Sequence, residues 1–248
     1  MQNSSPVTQL DIGRSMTWMF KSPNWMSNLF WMVLCSLLGT VVIGTLVAYG
    51  YQVDIVQRRS RGRDDVVPDF DPNRFVDYLT RGAWPFLVYM ILGGIISIAM
   101  VVLIVLTTLI CTLPFQGEGE PPPLAIAAMV GGIGVWTVFF MAALMVVMPL
   151  CLRAGLMNSF TEGFKIAWGV DFFRRMWPTL ILTLIITIAL ALLAEVVGIL
   201  LCFVGLFFTM SWLQFVLADL ATQLYDIFLS KGGEPVPFPD DIVDAQII

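Results

Sequence analysis

The chain has 248 residues, is 58% hydrophobic with a mean hydropathy of +0.86, and carries charge on only 12% of its residues. A soluble domain carries about 25% charged residues, so this composition excludes an ordinary water-soluble globule and predicts an integral membrane protein. The net charge of −5 says little about partners, because the charges are segregated, and nucleic acid is not among the partners expected.

The first 25 residues are polar and mixed. They lack a short apolar core followed by a small-residue cleavage site, so no cleavable signal peptide is expected. Leu10 to Phe20 reads as an amphipathic stretch, and Lys21, Pro23 and Trp25 follow it. Residues 26–53 contain no Asp, Glu, Lys or Arg. A crossing helix needs about 20 apolar residues for a ~30 Å hydrocarbon core, so this run can span once. It can also enter and leave by one face as two half-helices that break near Gly39–Gly44. With both flanks positive (Arg14 and Lys21 before, Arg58 to Arg63 after), the positive-inside rule requires the hairpin if both are cytoplasmic, and its likeness to the 177–222 pair favours it over a single crossing with the N-terminus outside.

Arg58, Arg59, Arg61 and Arg63 form a juxtamembrane basic cluster. They are candidates for binding anionic lipid headgroups, at about 1 kcal/mol per residue. The plainer reading is that they only set topology, and Asp64, Asp65, Asp69 and Asp71 partly neutralise them. A second short amphipathic stretch, Phe75 to Leu79, precedes Arg81, Trp84 and Pro85 and a charge-free run over 82–117. The loop 114–123, PFQGEGEPPP, holds two glutamates and no Lys or Arg. A third charge-free run covers 121–152. Phe160 to Phe173 then places Phe160, Phe164, Ala167 and Trp168 at helical spacing, as expected of a helix lying in the headgroup region. Arg175, Trp177 and Pro178 open the last apolar stretch, 177–222, interrupted only by Glu195 and Asp219 and long enough to cross twice. The tail 223–248 is acidic and proline-containing. Residues 1–230 thus read as one helical membrane domain and 231–248 as an acidic cytoplasmic tail that is poorly ordered or docks on a partner.

The twice-used Arg…Trp-Pro device has a physical reading. Proline suits the first turn of a helix, tryptophan prefers the membrane interface, and arginine stays on the cytoplasmic side. Trp25, Trp84 and Trp177 are therefore expected to be interfacial anchors. Each follows an amphipathic stretch, which makes a weak threefold repeat. The positive-inside rule places 51–81, 153–176 and the tail in the cytoplasm and 114–123 outside. The fold class expected is all-α: four transmembrane helices plus the N-terminal hydrophobic segment (re-entrant hairpin or fifth span), with interfacial amphipathic helices. Close helix seams are expected at Gly93/Ser97, Ala127/Gly131, Ala128/Gly132 and Ala194/Gly198.

Chemistry is sparse. The chain contains no histidine, which removes the commonest general base and metal ligand. The four cysteines, Cys35, Cys111, Cys151 and Cys202, lie within or beside apolar runs with no metal-ligand spacing and read as small hydrophobes. Tyr225-Asp226 matches half of the intramembrane aspartyl protease signature, and the Gly-x-Gly-Asp half is absent. Glu195 and Asp219 are the candidate intramembrane acids, since an ionisable group in a span is functional by default. Asp219 has a structural rival reading as the ion partner of Arg153. No catalytic residue, cofactor site or metal site is expected, and the chain reads as non-enzymatic.

Tyr49-Gly50-Tyr51, then Arg58-Arg59, Gly62 and Val67-Pro68-Asp69-Phe70 ahead of Gly82, form a pattern. It resembles the uncharacterised prokaryotic membrane family catalogued as domain of unknown function 4013, most clearly over residues 11–95. Val67 stands where the family has Leu, and Phe70 where it has Trp. The resemblance implies a polytopic protein of the prokaryotic inner membrane and carries no activity. The function expected is an integral membrane subunit or scaffold whose partners are membrane lipids and other membrane subunits, or a homo-oligomer. The alternative is a small transporter or channel with Glu195 as its intramembrane acid.

Overall fold

A computed structural model describes residues 9–39, 42–60, 66–113, 122–201 and 204–237. Seven α-helices and three short 3-10 turns, with no strand, make up the regular structure of these residues.

Asp11 begins α1 (Ile12–Trp18) by accepting the Arg14 N–H at 2.8 Å, a favoured cap that satisfies one orphan donor. A turn over Met19–Lys21 leads to α2 (Trp25–Leu38). The apolar run 26–53 does not continue as one helix. It breaks after Gly39 and resumes as α3 (Ile43–Ser60). Val42, in the break, has φ 62°, a left-handed conformation that is costly for a β-branched residue. The two helices pack side by side, and both return to the loop 66–71. Asn28 of α2 accepts the Phe70 N–H at 2.8 Å, and the Tyr51 hydroxyl of α3 donates to the Pro68 carbonyl at 2.7 Å. The run therefore leaves and returns at one end: it is a hairpin of two helices, as the re-entrant reading expects, and not one continuous fifth span.

Among the described residues, four helices are long and apolar enough to cross a membrane: α4 (Phe75–Thr112), α5 (Pro123–Met157), α6 (Ile166–Leu200) and α7 (Val204–Ser230). The chain is a multi-pass membrane protein. Helices α4 and α5 pair along their lengths, as do α6 and α7, and α3 lies against α4 and α7. The loop assigned to the outside, 114–123, falls outside the described residues except for its last two prolines.

The proline reading needs correction. Pro85 and Pro178 do not sit in first turns; each lies well inside a helix, as does Pro149 in α5. With 38 residues α4 is about 57 Å long at 1.5 Å per residue, nearly twice the ~30 Å core. Its amphipathic first turns and its apolar span are thus one rod, and the same holds for α6. A proline inside a membrane helix is tolerated when its surroundings satisfy the freed carbonyl. Only the first of the three repeats keeps a separate short helix, α1.

The small-residue seams are used selectively. Ala194 and Gly198 are buried where α6 meets α7; a Cβ on Gly198 would lie 2.8 Å from the Leu206 Cα. Gly132 packs on Thr107 of α4; a Cβ on Gly132 would lie 2.7 Å from the Thr107 methyl. A Cβ on Gly131 would have nothing within 4 Å and one on Gly93 would meet only the Tyr89 side chain of its own helix, so neither position brings two backbones together.

The core gathers at one end, called the base here, where α1, the second half of α3, the start of α4, the end of α5, the start of α6 and the end of α7 converge. Trp18, Tyr51, Tyr78, Phe172, Phe215 and Phe228 are buried there. Beyond the base the helices carry exposed apolar residues such as Ile98, Ile110, Val138, Ile185 and Leu200. The tail also begins differently from expectation. Trp168 Nε1 donates to the Glu234 carbonyl at 3.0 Å, Val236 N–H donates to the Tyr225 hydroxyl at 2.8 Å, and Val236 is buried. Residues 231–237 therefore pack on the chain's own base, and 238–248 lie outside the described residues.

Candidate functional site

The base holds three charged clusters, each assembled from distant segments. The first centres on Asp54 of α3, which is buried. Helical spacing sets it below Arg58, whose Nε lies 3.1 Å from its Oδ2. From the start of α4, Arg81 Nη1 reaches Asp54 Oδ1 at 2.9 Å and Arg74 Nη2 reaches it at 3.4 Å. Asp77 ties these arginines together, 2.6 Å from Arg74 and 2.9 Å from Arg81. Gln57 completes the cluster: it accepts from Arg81 at 3.2 Å and donates to the Gly155 carbonyl at 2.8 Å. That carbonyl belongs to the last turn of α5, where backbone acceptors lack helical partners. Asn158 then ends the helix in a left-handed conformation, φ 47°.

The second cluster centres on Asp219 of α7, which is fully buried. It pairs with Arg59, accepts from the Ser15 hydroxyl at 2.6 Å, and accepts from Gln223 Nε2 at 2.6 Å. Gln223 also accepts the Asp11 N–H at 2.7 Å, which fastens α1 to α7. The Arg59 guanidinium lies 4.8 Å above the Trp18 ring, a favourable cation–π distance.

The third cluster joins Arg153, the buried arginine at the end of α5, to Glu162 at 2.9 Å and to the face of Trp168 at 5.1 Å. Lys165 also reaches Glu162, at 2.9 Å. The Lys165 ammonium holds the Glu162 carboxyl below its ordinary value; partial burial opposes this and the Arg153 guanidinium reinforces it. A carboxyl whose folded value is depressed contributes stability above its unfolded value of about 4.3 and loses it as pH falls through the folded one. Lowering pH from about 5 to 3 should therefore lower the melting midpoint of the wild type. Glu162→Gln should flatten that part of the profile; an unchanged slope would remove Glu162 from the acid response.

These contacts relocate several residues read from the sequence. Asp219 pairs with Arg59 and not with Arg153, because Arg153 is turned toward the α5–α6 connection and meets Glu162 there. Arg59 is only 7% exposed, so its guanidinium faces protein and not a headgroup layer. Arg58 is engaged with Asp54 but stays 27% exposed. Arg61 and Arg63 lie outside the described residues. Glu195 is exposed on α6. Of the tryptophans, Trp177 is exposed while Trp25 and Trp84 are half-buried.

Two cavities lie beside the base. One, about 350 Å3 and smaller than the other at about 490 Å3, sits among α3, α5, α6 and α7 with Pro85 of α4 at its edge, and is walled almost wholly by apolar side chains. The other lies between the re-entrant hairpin and the start of α7, with Ser36, Thr45 and Gln214 in its wall. Tyr49 lines both, and a Gln52–Gln214 hydrogen bond stands between them. Glu195 lines neither. Asn28, which holds the Phe70 backbone, and the Gln52–Gln214 pair are polar contacts that a reading for charge passes over; their signal is an uncharged polar side chain within an otherwise apolar run. Among the described residues no group of three His, Cys, Asp or Glu side chains is placed to hold a metal ion.

A search of curated proteins and of solved structures finds no match. A family model described as a protein of unknown function (DUF4013) matches residues 33–203. The match begins later than the sequence resemblance and runs further, from the second half of α2 to the α6–α7 turn. It takes in the Asp54 and Arg153 clusters and leaves Ser15, Asp219 and Gln223 outside. With more than half of its length matched, the chain belongs to the DUF4013 family of proteins of unknown function.

Proposed function

We propose that the chain is a non-enzymatic integral membrane subunit or scaffold of a prokaryotic inner membrane, built to pack against other membrane proteins and lipids. The observation that carries this reading is the contrast between its two ends. At the base, the carboxylates of Asp54, Asp77, Glu162 and Asp219 are all held by arginine or lysine, an arrangement that fixes the helices to one another. Beyond the base, the apolar faces of α4, α5 and α6 stand exposed over several turns. With the base toward the cytoplasm, the arginine-rich segments obey the positive-inside rule, and the C-terminus is cytoplasmic too. The transporter alternative gains no support from Glu195, which is exposed and lines neither cavity.

The test is the mass and composition of the particle extracted from native membranes in mild detergent. Other membrane proteins at fixed stoichiometry, or a closed homo-oligomer, are expected. A lone chain that moves a solute when reconstituted into liposomes would sink the reading.

A further inference from the structure

We infer that the 350 Å3 cavity among α3, α5, α6 and α7 is a binding site for one acyl chain of a bilayer phospholipid. The inference rests on reading α4 to α7 as lying in a bilayer, and it adds a defined lipid site to the scaffold proposed above. The size falls within the range of small-molecule sites, about 300–1,000 Å3. The walls decide the chemistry. Met141, Met145 and Met148 of α5 face Leu184 and Thr187 of α6 and Ala221 of α7. Two of the polar groups in the lining are already used: Gln52 bonds to Gln214, and the Thr183 hydroxyl donates to the Thr179 carbonyl at 2.8 Å. A cavity with so little free polar surface does not hold ordered water, which needs two to four polar partners. Nor does it offer a polar solute replacements for its hydration. What it offers is hydrocarbon contact from flexible thioether side chains, which fit irregular apolar shapes.

The position gives the source of the ligand. The floor is closed at the base by Val56, Leu156 and Leu224, all buried. Helices α5 and α6 are joined at the base by residues 158–165 and pack there, Leu150 lying against Gly169. Further along, Val135 and Val138 of α5 and Ile185 and Ile188 of α6 are exposed and apolar. At the depth of the spans the surrounding solvent is lipid, so hydrocarbon reaches the cavity between these two helices.

The test uses the full chain in phospholipid vesicles that contain a phospholipid with a diazirine near the end of one acyl chain. After irradiation, adducts are mapped by peptide mass spectrometry. The expected pattern includes adducts on inward residues Leu180, Leu220 and Leu224, besides those on the outer residues Ile185 and Leu192. Ala221→Phe and Thr187→Phe each place a ring in the cavity and should cut inner adducts severalfold while outer ones persist; Met148→Ala should raise them. The outer adducts report that each variant is folded in the bilayer. Outer adducts without inner ones would overturn the acyl-chain site alone, and absence of both would overturn the membrane placement as well. Inner adducts that excess oleate removes, but excess unlabelled phospholipid does not, would overturn the phospholipid as source.

Discussion

Arg59→Met should destabilise the protein by about 3–5 kcal/mol, because it strips a buried carboxylate of its counter-charge. Asp219 is fully buried and would keep only the Ser15 hydroxyl and the Gln223 amide. The cation over Trp18 would also be lost. Removing both charges is a different experiment. The double variant Arg59→Met, Asp219→Leu exchanges an ion pair for apolar contact, and such exchanges are often neutral or stabilising. The double variant should therefore melt above the single one. Thermal unfolding in one detergent, followed by circular dichroism, measures both. If Arg59 instead served a headgroup, the single variant would keep its melting midpoint and lose affinity for anionic lipid. That result would overturn the buried pair.

What could be read from the sequence followed from physical properties that are local in the chain. Absence of charge over a span's length marks α4 to α7, and the glycines at Gly39–Gly44 and Gly198–Gly205 mark the two breaks that the structure confirms. The partner of Asp219 was not legible. Arg153 and Arg59 both lie near the depth of Asp219, and depth alone does not say which arginine points toward α7. That choice depends on the rotation of α3 and α5 about their axes, which the whole packing fixes. The continuity of α4 through Pro85 was hidden for a related reason. Proline favours a first turn because its missing N–H would lack a partner there anyway, but inside a membrane helix it is tolerated where the surroundings satisfy the freed carbonyl. The Asp54 hub was half legible: Asp54 with Arg58 and Asp77 with Arg81 stand at the i, i+4 spacing of helix ion pairs, but nothing local says that the two pairs interlock.

Gly82→Ala is expected to be about as damaging as a core over-packing change, 1–3 kcal/mol or roughly more, although it adds a single methyl. Gly50 and Gly82 face each other where α3 crosses α4. A Cβ on Gly82 would fall 1.8 Å from the Leu46 carbonyl oxygen, and one on Gly50 would fall 1.7 Å from that of Tyr78. Both obstacles are backbone, so no side chain can swing aside and the helices themselves must separate. Separation would pull Arg81 from Asp54, now 2.9 Å apart, and loosen the ring cluster of Tyr51, Phe70 and Tyr78. This gives a physical reason for the Gly-Tyr and glycine positions in the family-like pattern: they let two backbones touch, so that Tyr51 can reach the Pro68 carbonyl. Gly94→Ala, three turns further along α4, is the internal control. Nothing lies within 4 Å of its Cβ position, and alanine is favoured over glycine in a helix by about 1 kcal/mol. The two substitutions should thus shift the melting midpoint in opposite directions. Equal shifts would mean that α3 and α4 do not meet at these glycines, and the base would have to be assembled differently.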